Sequence, residues 1–472
     1  MKQFLATAFS MFVLCFMNAC GGSASGGGGG GGSSHGATHF RVSGPATAFV
    51  AAPINIAVVA LDASDQVATS YSGTVHITSS DAQAVLPVNL KLTSGTATLS
   101  ATLRSLGNQT ITATDTVTAT ITGSSSSIHV GANPNLHGFQ PTGDMGAERA
   151  SHTATSLPNG KVLVAGGANT NGGLATAELF DPVAGTFTAT GTMLASRAGH
   201  TATLLAQGPA DTNGKVLMAG GDGHRTAELF NPATGTFAAV GAMADSRSGH
   251  GEILLNSGKV LLAGGNFSRS AELFDPATKT FAATGTMTDI REQSTFTLLN
   301  DGKVLVTGGS IQIFAVGTAE VFDPATETFS ATGHLTTARW GHTATMLDNG
   351  RVLIAGGVDN DGETLDTAEL YDPATGTFSL INSMVALQSV HTATLLDNGT
   401  VLIAGGFGSS NFTVVAEVFD PLTNTFTQTG SMAAARGFHT ATMLNNGEVL
   451  VTGGEIQFNP ALVAIKSAEL YR

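Results

Sequence analysis

The chain has 472 residues, of which only 11% are charged, with 60 glycines and a formal net charge of −14. This length exceeds one ordinary hydrophobic core, so several domains or one large repeat array are expected. The acidic balance and the lack of any Lys/Arg cluster exclude nucleic acid as a partner, because phosphate binding needs concentrated positive charge. Recurrent Thr, Ala, Val and Phe among many glycines indicate an all-β chain rich in turns.

The opening stretch, MKQFLATAFSMFVLCFMNAC, has one lysine and then an apolar run to Met17. The run is short for a membrane span and has the shape of a secretory signal. Met17-Asn18-Ala19-Cys20 before Gly21 resembles the lipobox of bacterial lipoproteins, although Met17 and Asn18 are not the commonest residues there. The resemblance implies that residues 1–19 are removed and that Cys20 carries the lipid; an ordinary cleaved signal is the alternative. Both cysteines fall in this segment, so a lipidated Cys20 leaves no disulfide and no cysteine metal site. Residues 20–38 hold seven consecutive glycines, Gly26 to Gly32, and read as a flexible tether with an end-to-end distance of roughly 20–25 Å.

Residues 39–130 show short alternating runs such as INIAVVALD, GTVHITSS and TATLSATL, about seven strands by their pattern. The count suggests a β-sandwich, and the phrase SYSGTVHITSSDAQAVLP resembles bacterial immunoglobulin-like domains. Such a module in a lipoprotein implies a spacer or an adhesive element. Residues 131–137 read as a linker.

From residue 138 to 472 the chain repeats itself. An apolar run ending in a glycine doublet recurs at Gly166, Gly220, Gly264, Gly308, Gly356, Gly405 and Gly453, at intervals of 44 to 54 residues. Each doublet is followed by Ala-Glu-Leu or Ala-Glu-Val, with glutamates at Glu178, Glu228, Glu272, Glu320, Glu369, Glu417 and Glu469. One unit holds four β runs, with an Asn-Gly turn and a Asp-Pro-Ala-Thr-Gly-Thr turn between two pairs of them. This unit resembles the kelch repeat, with Phe where many kelch repeats have Tyr or Trp. Seven copies imply a seven-bladed β-propeller of the kind also found at the centre of galactose oxidase. The last copy stops at Ser-Ala-Glu-Leu-Tyr-Arg, three strands in, while Gly138–Met145 matches an orphan fourth strand. That segment is expected to close the seventh blade and so remove the open edges.

A second recurrence is Arg-x-x-His, at Arg149/His152, Arg197/His200, Arg247/His250, Arg339/His342 and Arg436/His439. The fourth copy has Arg291 with Ser294, and the sixth has Gln388 with His391. Residues copied round a ring are architectural, so each arginine is expected to pair with an Ala-Glu-Leu glutamate. Each histidine is expected to bond nearby backbone. Histidines on separate blades are poorly placed to share a metal ion.

If the first run of each unit lies innermost, the loops after the glycine doublets and the Arg-x-x-His links share one face. That face varies in length between copies, as binding loops on rigid scaffolds do; the insertion AQGPADT in the second copy falls on the other face. Trp340, the only tryptophan, replaces Ala150, Ala198, Ser248, Glu292, Ser389 and Gly437 at its repeat position. Trp340, Phe314, Phe412 and Phe458 are therefore the apolar candidates for ligand contact, and Glu292, Asp359 and Asp361 the polar ones. A packing role beneath a loop is the competing reading for Trp340, and Asp359–Gly362 lacks the ligands of a calcium loop.

Kelch propellers are most often scaffolds, so the resemblance implies an exported, lipid-anchored monomer, in the outer membrane or on the cell surface, that binds a protein or a glycan without a cofactor. Two enzymatic alternatives stand beside it. A sugar mutarotase resembling the kelch epimerases would use the unrepeated pair Arg291 and Glu292. An oxidase resembling galactose oxidase needs a Tyr–Cys crosslink, a second Tyr and two His around copper. The repeat region has no cysteine, and its tyrosines, Tyr371 and Tyr471, stand where other copies have Phe.

Overall fold

A computed structural model describes residues 36–49, 52–82, 84–87, 89–103, 105, 107–131, 138–457 and 463–472. Cys20, the tether up to residue 35 and Phe458 lie outside the described residues. The secondary structure is all β, and the chain divides into two compact units.

The smaller unit, mostly within residues 36–129, contains ten strands where the alternation suggests about seven. One run is interrupted at Thr110, so that Gly107–Gln109 and Ile111–Asp115 pair in different sheets. His39–Ser43, Pro53–Leu61 and Thr96–Thr102 form one sheet; Asn89–Lys91, Thr74–Ser79, Ile111–Asp115 and Thr122–Ser124 form another. Period-two burial of Ile56, Val58 and Ala60, matched by Val75 and Ile77, supplies the core. Tyr71 packs edge-on against Phe40 at 5.6 Å and donates its hydroxyl to Asp115.

The larger unit contains seven four-stranded antiparallel sheets, numbered here in chain order by their first strands. Those first strands are Thr153–Ser156, Thr201–Leu204, Gly251–Leu254, Thr295–Leu298, Thr343–Met346, Thr392–Leu395 and Thr440–Met443. Each touches the first strand of the next sheet, and the seventh touches the first, so they form a closed inner ring. Sheet one continues outward through Val162–Ala165, Ala177–Asp181 and Thr186–Ala189, and the others follow the same order. In sheet seven the outermost strand is Phe139–Pro141, paired with Ala468–Tyr471 in the register Phe139 to Tyr471 and Pro141 to Glu469. The two ends of the repeat region are thereby hydrogen-bonded to each other, and no sheet is left a strand short.

The second strands are buried on both faces, which explains their unbroken apolar sequence. A hydrophobic core fills every junction between neighbouring sheets; between sheets two and three it comprises Leu217, Leu229, Met243, Val260, Leu262 and Phe274, among others. Third- and fourth-strand aromatics stack within each sheet, as in Phe180–Phe187 at 4.8 Å and Tyr371–Phe378 at 4.8 Å. The glycine doublets are required at the crowded end of the second strand. Gly166 has φ 64°, and a Cβ there would lie 2.6 Å from the Arg197 carbonyl and 2.6 Å from the His200 ring.

Candidate functional site

The loops after the doublets and the links between sheets share one end of the ring, anchored there by the Arg-x-x-His segments. Arg149, Arg197, Arg247, Arg291, Arg339 and Arg436 are all buried and ion-paired with Glu178, Glu228, Glu272, Glu320, Glu369 and Glu469, at 2.7, 2.9, 2.8, 3.0, 2.9 and 2.6 Å. Arg339 is representative. Its Nη1 donates to the Gly356 and Thr367 carbonyls at 2.7 and 2.9 Å, and its Nη2 to the Thr367 hydroxyl and Glu369 at 3.1 and 2.9 Å. The second carboxylate oxygen of Glu369 accepts from the Thr336 backbone N–H at 2.8 Å. One planar cation thus ties the doublet, the third strand and the incoming link together.

Backbone partners, expected from sequence, are met by His391 at Gln388 and His439 at Ala404, but the contact common to the set is a threonine hydroxyl of the preceding sheet, met by each Nε2. The pairs are Thr153–His200, Thr201–His250, Thr295–His342, Thr343–His391, Thr392–His439 and Thr440–His152, all between 2.9 and 3.2 Å. The junction of sheets three and four departs from this pattern on both sides at once. Gly251 replaces the threonine, Ser294 replaces the histidine, and the Phe296 ring fills the space where a Cβ on Gly251 would lie 1.8 Å from it. The reciprocal change explains why a missing histidine leaves the ring closed.

Between arginine and histidine, one residue of each link takes the left-handed conformation: Ser151, Gly199, Gly249, Gln293, Gly341, Val390 and Phe438, with φ between 47° and 63°. Backbone N–H groups of this set donate to carbonyls of the set in neighbouring links, among them Gly199 to Ser151, Gln293 to Gly249 and Ser151 to Phe438. The result is a hydrogen-bonded collar at the loop end. Val390 and Phe438 hold a conformation that is strained for bulky side chains, a feature that concentrates at functional sites. Nothing in the sequence marks these positions, because backbone handedness has no residue signature when glycine is replaced.

Most of the predicted ligand contacts gather on the rim of sheets four and five. Ser310–Ile311 and Phe314–Ala315 form a two-stranded hairpin whose tip exposes Ile313 and Phe314, at 78% and 60%. Glu292 bridges to Ser310 through two backbone hydrogen bonds, and its carboxylate accepts from the Phe267 N–H at 2.9 Å. From the other side, Asn360 of the sheet-five loop clamps both polar groups of the Ala315 backbone, at 2.7 and 3.3 Å. Trp340 bridges Val358 at the base of that same loop and is half-buried. Asp359 accepts from the Asp361 and Glu363 N–H groups at 2.9 and 3.0 Å, which shapes the loop, and Asp361 is exposed.

Phe412 is a correction. It is only 8% exposed and packs edge-on against Phe407 at 5.6 Å, because Gly437 leaves room for its ring; it supports the sheet-six loop and does not present a ligand surface. The pairing of Arg291 with Glu292 also fails. Arg291 is buried on Glu320, and the Glu292 carboxylate is engaged by Phe267. A cleft of about 580 Å³ beside the short sheet-two loop is lined by Gly223, His224, Arg225, Asp245 and Ser246, among others, and went unrecognised because no repeat position marks it.

Glu252, on the inner ring, is another residue that the sequence reading passed over. It stands where five other sheets have alanine and accepts from the Thr201 hydroxyl at 2.5 Å. Burial pushes its carboxyl up to about 7. A carboxyl raised in the fold above its ordinary value stabilises below the unfolded pKa, and that contribution disappears as pH rises through 7. Glu252→Gln should therefore gain about 2–3 kcal/mol at pH 8 and nothing at pH 4, measured by urea denaturation. Equal effects at both pH values would show that charge is not involved.

A kelch-motif model matches residues 339–385 and 390–433. Among solved structures the chain is similar to one described as a novel fungal alcohol oxidase with catalytic diversity among the AA5 family, in complex with copper. That likeness has a TM-score of 0.59 and 17% identity, covering 71% of this chain and 76% of the other. No curated protein sequence matches the chain. Two stretches of the repeat region thus match the kelch motif, and the region folds as an all-β propeller like that solved structure. Tyr371 and Tyr471 are 2% and 3% exposed in third strands, with their hydroxyls bonded to Thr332 and Thr429, and among the described residues no group of three or more His, Cys, Asp and Glu is placed to hold a metal ion.

Proposed function

We propose that the protein is an exported binding scaffold, lipid-anchored through Cys20, in which an immunoglobulin-like module and a flexible tether carry a seven-bladed propeller. The propeller recognises its ligand through the loop end, on the rim of sheets four and five. The observation that carries this reading is the rigid apolar hairpin. Ile313 and Phe314 stand exposed at its tip, yet the hairpin is held on one side by Glu292 and on the other by Asn360. Exposed apolar side chains on a fixed backbone bury area on binding with little loss of freedom, which is how interface anchors act. Exposed acidic residues beside them, Asp361 and Glu363, favour a protein partner with basic groups at its contact edge, and a glycan stacked on Trp340 is the alternative.

Pull-downs from envelope extracts and glycan arrays with the full chain test this. Phe314→Ser and Trp340→Ala should each weaken a specific hit at least tenfold while the melting temperature stays unchanged. Leu422→Ser, at a 93% exposed position in a tight turn of sheet six, is the control and should leave binding intact. Binding that survives both rim variants would remove the rim from the proposal. Loss of fatty-acid labelling in Cys20→Ser tests the anchor separately.

A further inference from the structure

Six sheets neutralise their buried Ala-Glu glutamate with an arginine; the sixth does not. Gln388 and Glu417 are both fully buried there. Gln388 Nε2 donates to the Val415 carbonyl at 3.1 Å, the carbonyl equivalent to Thr367, which accepts from Arg339 Nη1 in sheet five. The amide head therefore sits where the guanidinium begins in the other copies. Its Oε1 and Glu417 Oε1 lack a well-aligned hydrogen bond among the described residues, although the Ala386 N–H approaches the Glu417 carboxylate. Glu417 Oε2 accepts from the Val385 N–H at 2.6 Å, as the equivalent oxygen does in the other sheets, so the carboxylate has kept its place.

A second replacement accompanies the first. The residue that offers a hydroxyl to the arginine elsewhere is Thr176, Thr226, Ser270, Thr318, Thr367 or Ser467, and here it is Val415. Loss of the cationic donor and of its hydroxyl acceptor together marks an altered site that is internally consistent. Glutamine has two fewer non-hydrogen atoms than arginine, a difference on the order of one water molecule in volume. The negative charge of Asp366 adds to that of Glu417. The frame that binds one positive charge in the other six sheets is thus retained in sheet six with oxygen acceptors and no basic side chain.

We propose that the Gln388–Glu417 site of sheet six binds a compact monovalent alkali cation, held by Glu417 Oε1 and Gln388 Oε1 in the place of the missing guanidinium. Hard oxygen donors with one formal negative charge suit such an ion, as they do other hard cations. The cation would tie the sheet-six link to its third strand and so stabilise the loop end.

The test is thermal unfolding of the full chain in potassium, sodium and choline chloride at one pH and one ionic strength. Potassium or sodium should raise the melting temperature over choline by several degrees, and the rise should saturate with concentration. The double variant Gln388→Arg with Val415→Thr should melt higher than wild type in choline and lose the ion dependence; Glu417→Gln should lose it too. Identical melting in the three salts would overturn the proposal. If melting then varied with pH and the variation vanished in Glu417→Gln, a proton would be the occupant; with neither dependence, a water.

Discussion

Acidification from pH 7 to pH 5 should unfold the propeller, or bring it to the edge of unfolding. The cause is the ring of six histidines that bond threonines across the sheet junctions. Burial, followed by the neighbouring arginine cations, holds His200, His250 and His439 down to about 3, and burial holds His391 down to about 4; His152 and His342 also lie well below the ordinary value. In the unfolded chain each imidazole takes up a proton near pH 6.5, whereas in the fold it stays neutral. Stability is thus full above about pH 6.5 and is lost as pH falls below it. Each histidine costs roughly 2 kcal/mol at pH 5, so six together cost on the order of 10 kcal/mol, comparable with the whole stability of many domains. Glu252 and Glu417, whose carboxyls burial pushes up, act in the opposite direction but are outnumbered. Urea denaturation between pH 5 and 8 should show close to six protons bound on unfolding. A flat profile would mean that the imidazoles are not buried neutral.

The second large effect concerns the arginine–glutamate pairs. Arg339→Met should cost about 3–5 kcal/mol, because it leaves Glu369, itself fully buried, without its counter-charge and removes five donated hydrogen bonds. Adding Glu369→Met should recover much of that loss, since an apolar pair of similar volume avoids the desolvation of two ions. Sheet six shows how the fold tolerates the change: Arg339→Gln with Thr367→Val copies its arrangement and should cost less than Arg339→Met. Chemical denaturation of the three variants decides the matter. A loss below about 1 kcal/mol for Arg339→Met would show that water reaches Glu369.

Both effects arise from residues whose repetition is visible in the chain, and the reason is geometrical. A ring of similar sheets meets the same problem at every junction, so its solution is copied: diglycine under the histidine, arginine on glutamate, Phe on Phe. The spacing of those letters also placed the orphan strand Phe139–Pro141, whose only free edge is the third strand of sheet seven. Trp340, Phe314, Glu292, Asp359 and Asp361 were found by the opposite signal, departure from the repeat on the loop end.

What the letters alone determined is therefore the all-β class, the unit length and the residues each junction requires. Other features depend on contacts between segments far apart in the chain. Phe412 reads like Phe314 in sequence, yet one is buried because Gly437 admits its ring, while the other is exposed at the tip of a hairpin. The threonine partners of the histidines lie one sheet away, some 47 to 49 residues earlier in most cases. Gly251 and Ser294 become intelligible only when Phe296 is seen between them. The left-handed collar and the poorly partnered oxygens of Gln388 and Glu417 follow from how the sheets close on one another. Periodicity specifies what every copy shares; packing across the junctions decides what each departure from it does.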